Sequence, residues 1–177
     1  MTFEEYVLAR GAALVRLARL LTGDDHRADD LVQDVLARAY VHWRRVVAAD
    51  RPDVYVRRML INANASWWRR RSSRGITPGA GTITAVADRT TVPDVEIAAA
   101  ERDAMWRQIR RLPERQRAVV VLRYYEDLDD ATIAEILDCT PVTVRTHAMR
   151  ALATLRERHD ATGAPLTGRR TQPRSPV

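Results

Sequence analysis

A chain of 177 residues with a formal net charge of +6 has room for one compact domain or for two small modules and a linker. All 29 basic residues are arginine, a bias that GC-rich codons explain before function does, yet the positive balance still favours an anionic partner. A single cysteine, Cys139, excludes an internal disulfide framework, no apolar run approaches the ~20 residues of a membrane span, and the start is acidic rather than signal-like, so a soluble, cytoplasmic protein is expected.

Thr2 and Glu5 form a capping-box pattern ahead of an amphipathic run through Leu14, Leu17, Ala18 and Leu21, which Gly23 can close. A second helix is expected from about Ala28 to Trp43, where Leu31, Val35, Ala39, Tyr40 and Trp43 keep three-and-four spacing. Its outward face carries Asp30, Gln33, Asp34 and Arg38, which the pattern alone assigns to solvent. A third helix begins near Pro52, with Val56, Met59 or Leu60, Ala63 and Trp67 inward and Arg57, Arg58, Asn62 and Ser66 towards other faces. It ends in Arg69, Arg70, Arg71 and Arg74. Cations suit a helix C-terminus by roughly 0.3 to 1 kcal/mol for dipole reasons alone. With tryptophans and an asparagine beside them, these also suit a nucleic-acid surface.

Charge and composition divide the chain. Residues 1–74 hold 14 arginines against 9 acids, whereas residues 94–160 hold 11 against 13, so the first module is basic and the second is not. Between them, residues 75–93 contain Gly75, Gly79, Gly81, Pro78 and Pro93 without a sustained period and read as a flexible linker, the expected first site of proteolysis. Residues 161–177, with three prolines and Arg169, Arg170 and Arg174, read as a disordered tail.

The most specific signal lies at Leu128 to Leu155, two helices joined by a turn short enough to cross them, the pattern of a DNA-reading helix-turn-helix. Asp129 is placed to cap the first, which carries Ile133, Ala134, Ile136 and Leu137; Asp138 and Cys139 make the break. Thr140 caps the second and Pro141 sits in its first turn. Val144, Ala148, Ala151, Leu152 and Leu155 form the buried stripe of this helix, leaving Thr143, Arg145, Thr146, His147 and Arg150 for base edges and phosphates. The acids Glu126, Asp127, Asp129 and Asp130 precede the turn, so the module is dipolar.

Four segments in one order carry a resemblance: DLVQDVLARAY at Asp30 to Tyr40, RRMLINA in the basic helix, LPERQRAVVVLRYYEDL at Leu112 to Leu128, and the helix-turn-helix. The chain resembles an extracytoplasmic-function sigma factor of bacterial RNA polymerase, in the SigE-like actinobacterial branch, over about residues 3–71 and 95–156. The resemblance implies that Asp30, Gln33 and Asp34 dock on the clamp helices of the largest-subunit pair of core polymerase, against the solvent reading of that face. It implies that Asn62 holds a flipped base of minus-ten DNA, with Arg57, Arg58, Arg69 and Arg70 flanking it. It sends Thr143, Arg145, Thr146, His147 and Arg150 into the minus-thirty-five major groove. His147 stands where arginine is common and Asp138 where glycine is frequent. Primary sigma factors carry their paired tryptophans earlier, where this chain has Tyr55 and Val56, so Trp67 is read as core rather than as a melting wedge.

The expected molecule is all-α, two small helical domains joined by a flexible linker, and an initiation factor without catalytic residues, metal or cofactor. Its four histidines are scattered, Cys139 lacks metal-ligand spacing, and Gly79 and Gly81 follow no strand as a phosphate loop would. The partners expected are core RNA polymerase, promoter DNA and an anti-sigma factor, with neither membrane nor small-molecule substrate. A standalone helix-turn-helix regulator is the alternative, marked by an effector or a dimer interface. An RNA-binding adaptor using the arginines at 69 to 74 is a third, and it would not need the helix-turn-helix.

Overall fold

The computed structural model describes residues 1–72 and 103–162, all of whose regular elements are helices. The 75–93 linker and all but the first two residues of the 161–177 tail lie outside the described residues. Four helices build the first half: α1 (Phe3–Thr22), α2 (Asp25–Val41), α3 (Trp43–Val47) and α4 (Pro52–Ser72). The second half holds α5, described over residues 103–110, then α6 (Glu114–Tyr124), α7 (Asp130–Leu137) and α8 (Pro141–Thr162).

The ends of α1 follow the sequence closely. Thr2 and Glu5 exchange side-chain bonds with each other's backbone N–H groups, and Gly23 closes the helix at φ 72°, in the left-handed region that glycine enters without strain. Leu14, Leu17, Ala18 and Leu21 are all buried. Helix α2 starts three residues before the apolar spacing announced it, because Asp24 is its N-cap and accepts from the Arg27 N–H at 2.9 Å. It also stops short of Trp43. The chain breaks at His42, and Trp43 begins α3 instead, where its ring meets Tyr6 and Phe3 of α1 at 5.3 and 5.4 Å. Tyr40, read from spacing as part of the apolar stripe, is 61% exposed and makes an edge contact with the Phe3 ring.

Val56 and Leu60 of α4 face inward as expected, but Arg57, Ile61 and Ala65 are buried as well. The second half of the chain packs against the first, with α7 against α4 and α6 against α1, and Glu126 lies 2.8 Å from the Arg57 guanidinium. Arg57, expected on an outer face, is therefore enclosed. Arg117 of α6 is also buried and donates to the Leu21 and Leu112 carbonyls, at 2.8 and 3.4 Å. One half of the chain thus caps the C-terminus of a helix in the other.

The helix-turn-helix forms as its punctuation requires. The Asp129 carboxylate accepts from the Thr132 N–H at 2.7 Å, and Thr140 Oγ1 accepts from the Thr143 N–H at 3.2 Å. Asp138 closes α7 at φ 54°, and Arg115 Nη1 donates to the Leu137 carbonyl at 2.8 Å, supplying a partner the helix end lacks. Ile133, Ile136, Val144 and Ala148 bury the seam between α7 and α8. They belong to one apolar cluster that runs on into Leu60 and Val54 of α4 and Leu21 of α1. Helix α8 continues through residues 161 and 162, which the composition had assigned to the tail.

Candidate nucleic-acid interface

Helices α2 and α4 lie side by side and leave a groove of 890 Å³, within the ~300–1,000 Å³ range of ligand-holding clefts. Asp30, Gln33, Asp34 and Arg38 border it from α2; Asn62, Ser66 and Arg70 border it from α4. The α4 members recur every four residues, so they stack on one helix face. Trp67 forms part of the wall rather than of a dry core: the Arg27 guanidinium lies 3.4 Å from its ring centroid, and Arg71 stands 5.0 Å away on the same ring. Arg27 also donates to Asn64 Oδ1. Burial, with Arg117 nearby, pulls the Arg27 guanidinium down to about 10, which leaves it charged at neutral pH. Asp34 and Arg38 form an exposed pair at 3.3 Å, and Arg69 donates to Ser66 Oγ at 2.9 Å.

The second surface is the outer side of α8. Arg145 and Arg150 are exposed; Thr143, Thr146 and His147 are partly so. Thr146 Oγ1 donates to the Val142 carbonyl at 3.0 Å, and the hydroxyls of Thr140 and Thr143 meet at 2.9 Å, so the hydroxyls of Thr143 and Thr146 each have a partner within the helix or its cap. Asp130 ion-pairs with Arg123 and also lies 3.7 Å from the Arg145 guanidinium. His147 Nδ1 is buried without a hydrogen-bond partner, and burial, with Arg150 and Arg115 close by, pulls the imidazole below its ordinary value. The shift favours the neutral form of His147.

These two surfaces coincide with two known modules. Residues 7–74 match Sigma-70 region 2, and residues 102–155 match Sigma-70, region 4. The chain is 36% identical to the RNA polymerase sigma-E factor of Streptomyces coelicolor, over 89% of this chain and 85% of that one. The chain belongs to the extracytoplasmic-function sigma factors of the sigma-70 family. It is 33% identical to the ECF RNA polymerase sigma factor SigL of Mycobacterium tuberculosis, covering 80% of this chain and 81% of that one. The sigma factor RpoE of Bartonella quintana, solved in complex with the anti-sigma factor NepR, shares its fold at a TM-score of 0.72 and 21% identity, over 89% of this chain and 96% of that one.

Membership fixes the function as that of a factor that binds core RNA polymerase and directs promoter recognition and transcription initiation. The standalone regulator is not favoured, since region 2 accounts for the whole first module. Within this sigma factor, the structure brings Asp30, Gln33, Asp34, Asn62 and Arg70 around one groove. Arg57 and Arg58 lie apart from it. Arg57 contacts Asp53 at 3.3 Å and Glu126 at 2.8 Å, and Arg58 contacts Asp138 at 3.3 Å. Sequence reading missed Arg27, whose place over Trp67 depends on a contact forty residues away in the chain, and Arg115, whose cap on α7 is equally non-local. Among the described residues no group of three or more His, Cys, Asp or Glu is disposed to hold a metal, and no helix is long and apolar enough to cross a membrane.

Proposed function

We propose that the groove between α2 and α4 divides its two rims between protein and DNA. Asp30, Gln33 and Asp34 on α2 dock on the clamp helices of core polymerase, while Asn62 on α4 holds a flipped non-template base, with Arg69 and Arg70 on the neighbouring backbone. Arg57 and Arg58 join the minus-ten contacts once the second module moves off them. Thr143, Arg145, Thr146, His147 and Arg150 read the minus-thirty-five element. The observation that supports this reading is the shared groove itself, which sets the exposed Asn62 amide, the Trp67 indole and Arg70 on α4 across from Asp30, Gln33 and Asp34 on α2. Extruding a base costs a few kcal/mol of stacking, and an indole wall with an amide edge and flanking guanidinium groups offsets that cost.

The first module, residues 1–74, carries core and minus-ten binding in this account, and the second, residues 94–160, carries minus-thirty-five binding. The factor acts in the cytoplasm and supplies no catalytic chemistry; polymerase does that. An anti-sigma factor is a further partner, as NepR is for the Bartonella quintana protein. Fluorescence of 2-aminopurine placed in turn along the non-template minus-ten strand tests the Asn62 role. Holoenzyme carrying Asn62→Ala is expected to bind duplex promoter normally and to lose unstacking at one position. Unstacking equal to the parent at every position would refute the assignment.

A further inference from the structure

The flank of α4 that carries Arg57 and Arg58, with Arg51 just ahead of it, is covered by acids of the second module. Glu126, in the turn after α6, pairs with Arg57; Glu135 of α7 lies 3.2 Å from Arg51; Asp138, at the end of α7, pairs with Arg58. Arg51 also donates to Thr132 Oγ1 at 3.1 Å through both terminal nitrogens. The three acids come from a stretch of thirteen residues that is otherwise devoted to positioning the reading helix. They meet a module whose arginines exceed its acids by five. Only the Arg57–Glu126 pair is enclosed, with side-chain exposures of 10% and 12%; Asp53 holds the other side of the same guanidinium, and Tyr6 donates to Asp53 at 3.3 Å.

Three carboxylates set against three successive arginines reproduce what a DNA backbone would offer that face. We propose that the acidic face of the second module is an intramolecular stand-in for promoter phosphates, closing the free protein over the arginine flank of α4 until DNA and polymerase displace it. This rests on the assignment of Arg57 and Arg58 to minus-ten DNA. The device is electrostatic at its rim and apolar beneath, since the buried cluster is continuous across the contact. Salt therefore weakens closure without abolishing it. The cover and the reading head move together, because Glu135 and Asp138 belong to the same helix-turn-helix as Arg145. Uncovering the minus-ten arginines and freeing the second module to reach the upstream element are one motion.

The test uses the full chain with fluorophores at Leu8→Cys and Glu157→Cys in a Cys139→Ser background, one label on each module at an exposed position. Energy transfer reports closure, and single-stranded DNA of mixed sequence reports access to α4. The triple substitution Glu126→Gln, Glu135→Gln, Asp138→Asn keeps side-chain size, and asparagine tolerates the left-handed backbone at 138. It is expected to shift the closed–open balance at least about tenfold towards open and to tighten single-stranded DNA binding by a similar factor, since each exposed pair contributes up to about fivefold and the enclosed pair more. Arg51→Glu alone is expected to open the chain, and Arg51→Glu with Glu135→Arg to close it again. A triple variant as compact as the parent, or one that opens with no gain in DNA binding, overturns the proposal. Separately, holoenzyme carrying Arg58→Ala tests the reading beneath it: normal promoter opening there would remove the minus-ten role of Arg58 while the measured closure still stood.

Discussion

At the scale of single residues, the site asks different things of side chains that look alike. Asp34 projects from α2 into solvent, its one described partner being Arg38 on the next turn, so reversing its charge leaves the core of the module untouched. Asp34→Arg is expected to weaken core-polymerase binding by about 1 to 3 kcal/mol with an unchanged far-ultraviolet spectrum, measured by titration against labelled core enzyme. Arg145 and Arg150 lie five residues apart, about 140° around the helix, and cannot share a role. Arg145→Ala is expected to cost about 1 to 3 kcal/mol and to relax preference at one or two upstream positions; Arg150→Ala to weaken all sequences alike and lower the salt slope by about one. His147 adds a pH dependence. Its folded-state pKa lies below the ordinary 6.5, so protonation favours the unfolded chain, and the stability it contributes is complete above 6.5 and lost as pH falls through the lower folded value. Thermal unfolding scanned from pH 7.5 to 5 is expected to fall less steeply for His147→Gln than for the parent. That shift was not legible in the sequence, because it comes first from burial of the ring in the fold, then from Arg150 on its own helix and Arg115 on another.

At the scale of elements, local punctuation was read well and tertiary choices were not. The capping box at Thr2 and Glu5, Gly23, Asp129, Thr140 and Pro141 all act within four residues of the groups they satisfy, so the sequence displays them directly. The break at His42 could not be read the same way. Apolar spacing runs through it without interruption, and the contacts Trp43 makes there, with the Phe3 and Tyr6 rings and the Met1 carbonyl, are non-local. The turn of the helix-turn-helix gives an expected outcome at this scale. Asp138 holds φ 54°, where a side chain without a local hydrogen-bonding group is disfavoured by about 1 to 2 kcal/mol. Asp138→Gly and Asp138→Ala both lose the contact with Arg58, so their difference isolates the backbone: in denaturant titrations the glycine variant is expected to be the more stable by about that amount.

At the scale of the molecule, composition separated a basic from an acidic module but gave no sign that they would meet. The meeting surface is built from residues each module spends on something else: a helix start at Arg51, the proposed DNA contact at Arg57, turn acids at Glu126 and Asp138. Burial of Arg57 against Glu126 is the trace it leaves on α4, and a partner 69 residues away in the chain is not written in the spacing of one helix. The expected placement of Arg57 on an outer face failed for that reason, while Asn62, one turn away on the groove side, remains exposed. In the proposed function, a single groove docks polymerase on one rim and opens DNA on the other. Run-off transcription from genomic promoter fragments, with purified core enzyme and the parent, Asp34→Arg or Asn62→Ala chains, tests it most directly. Discrete transcripts are expected only with the parent, with rescue of Asp34→Arg by raising its concentration and no rescue of Asn62→Ala at any concentration. Equal transcription by all three chains, or rescue of both variants by concentration alone, would contradict it.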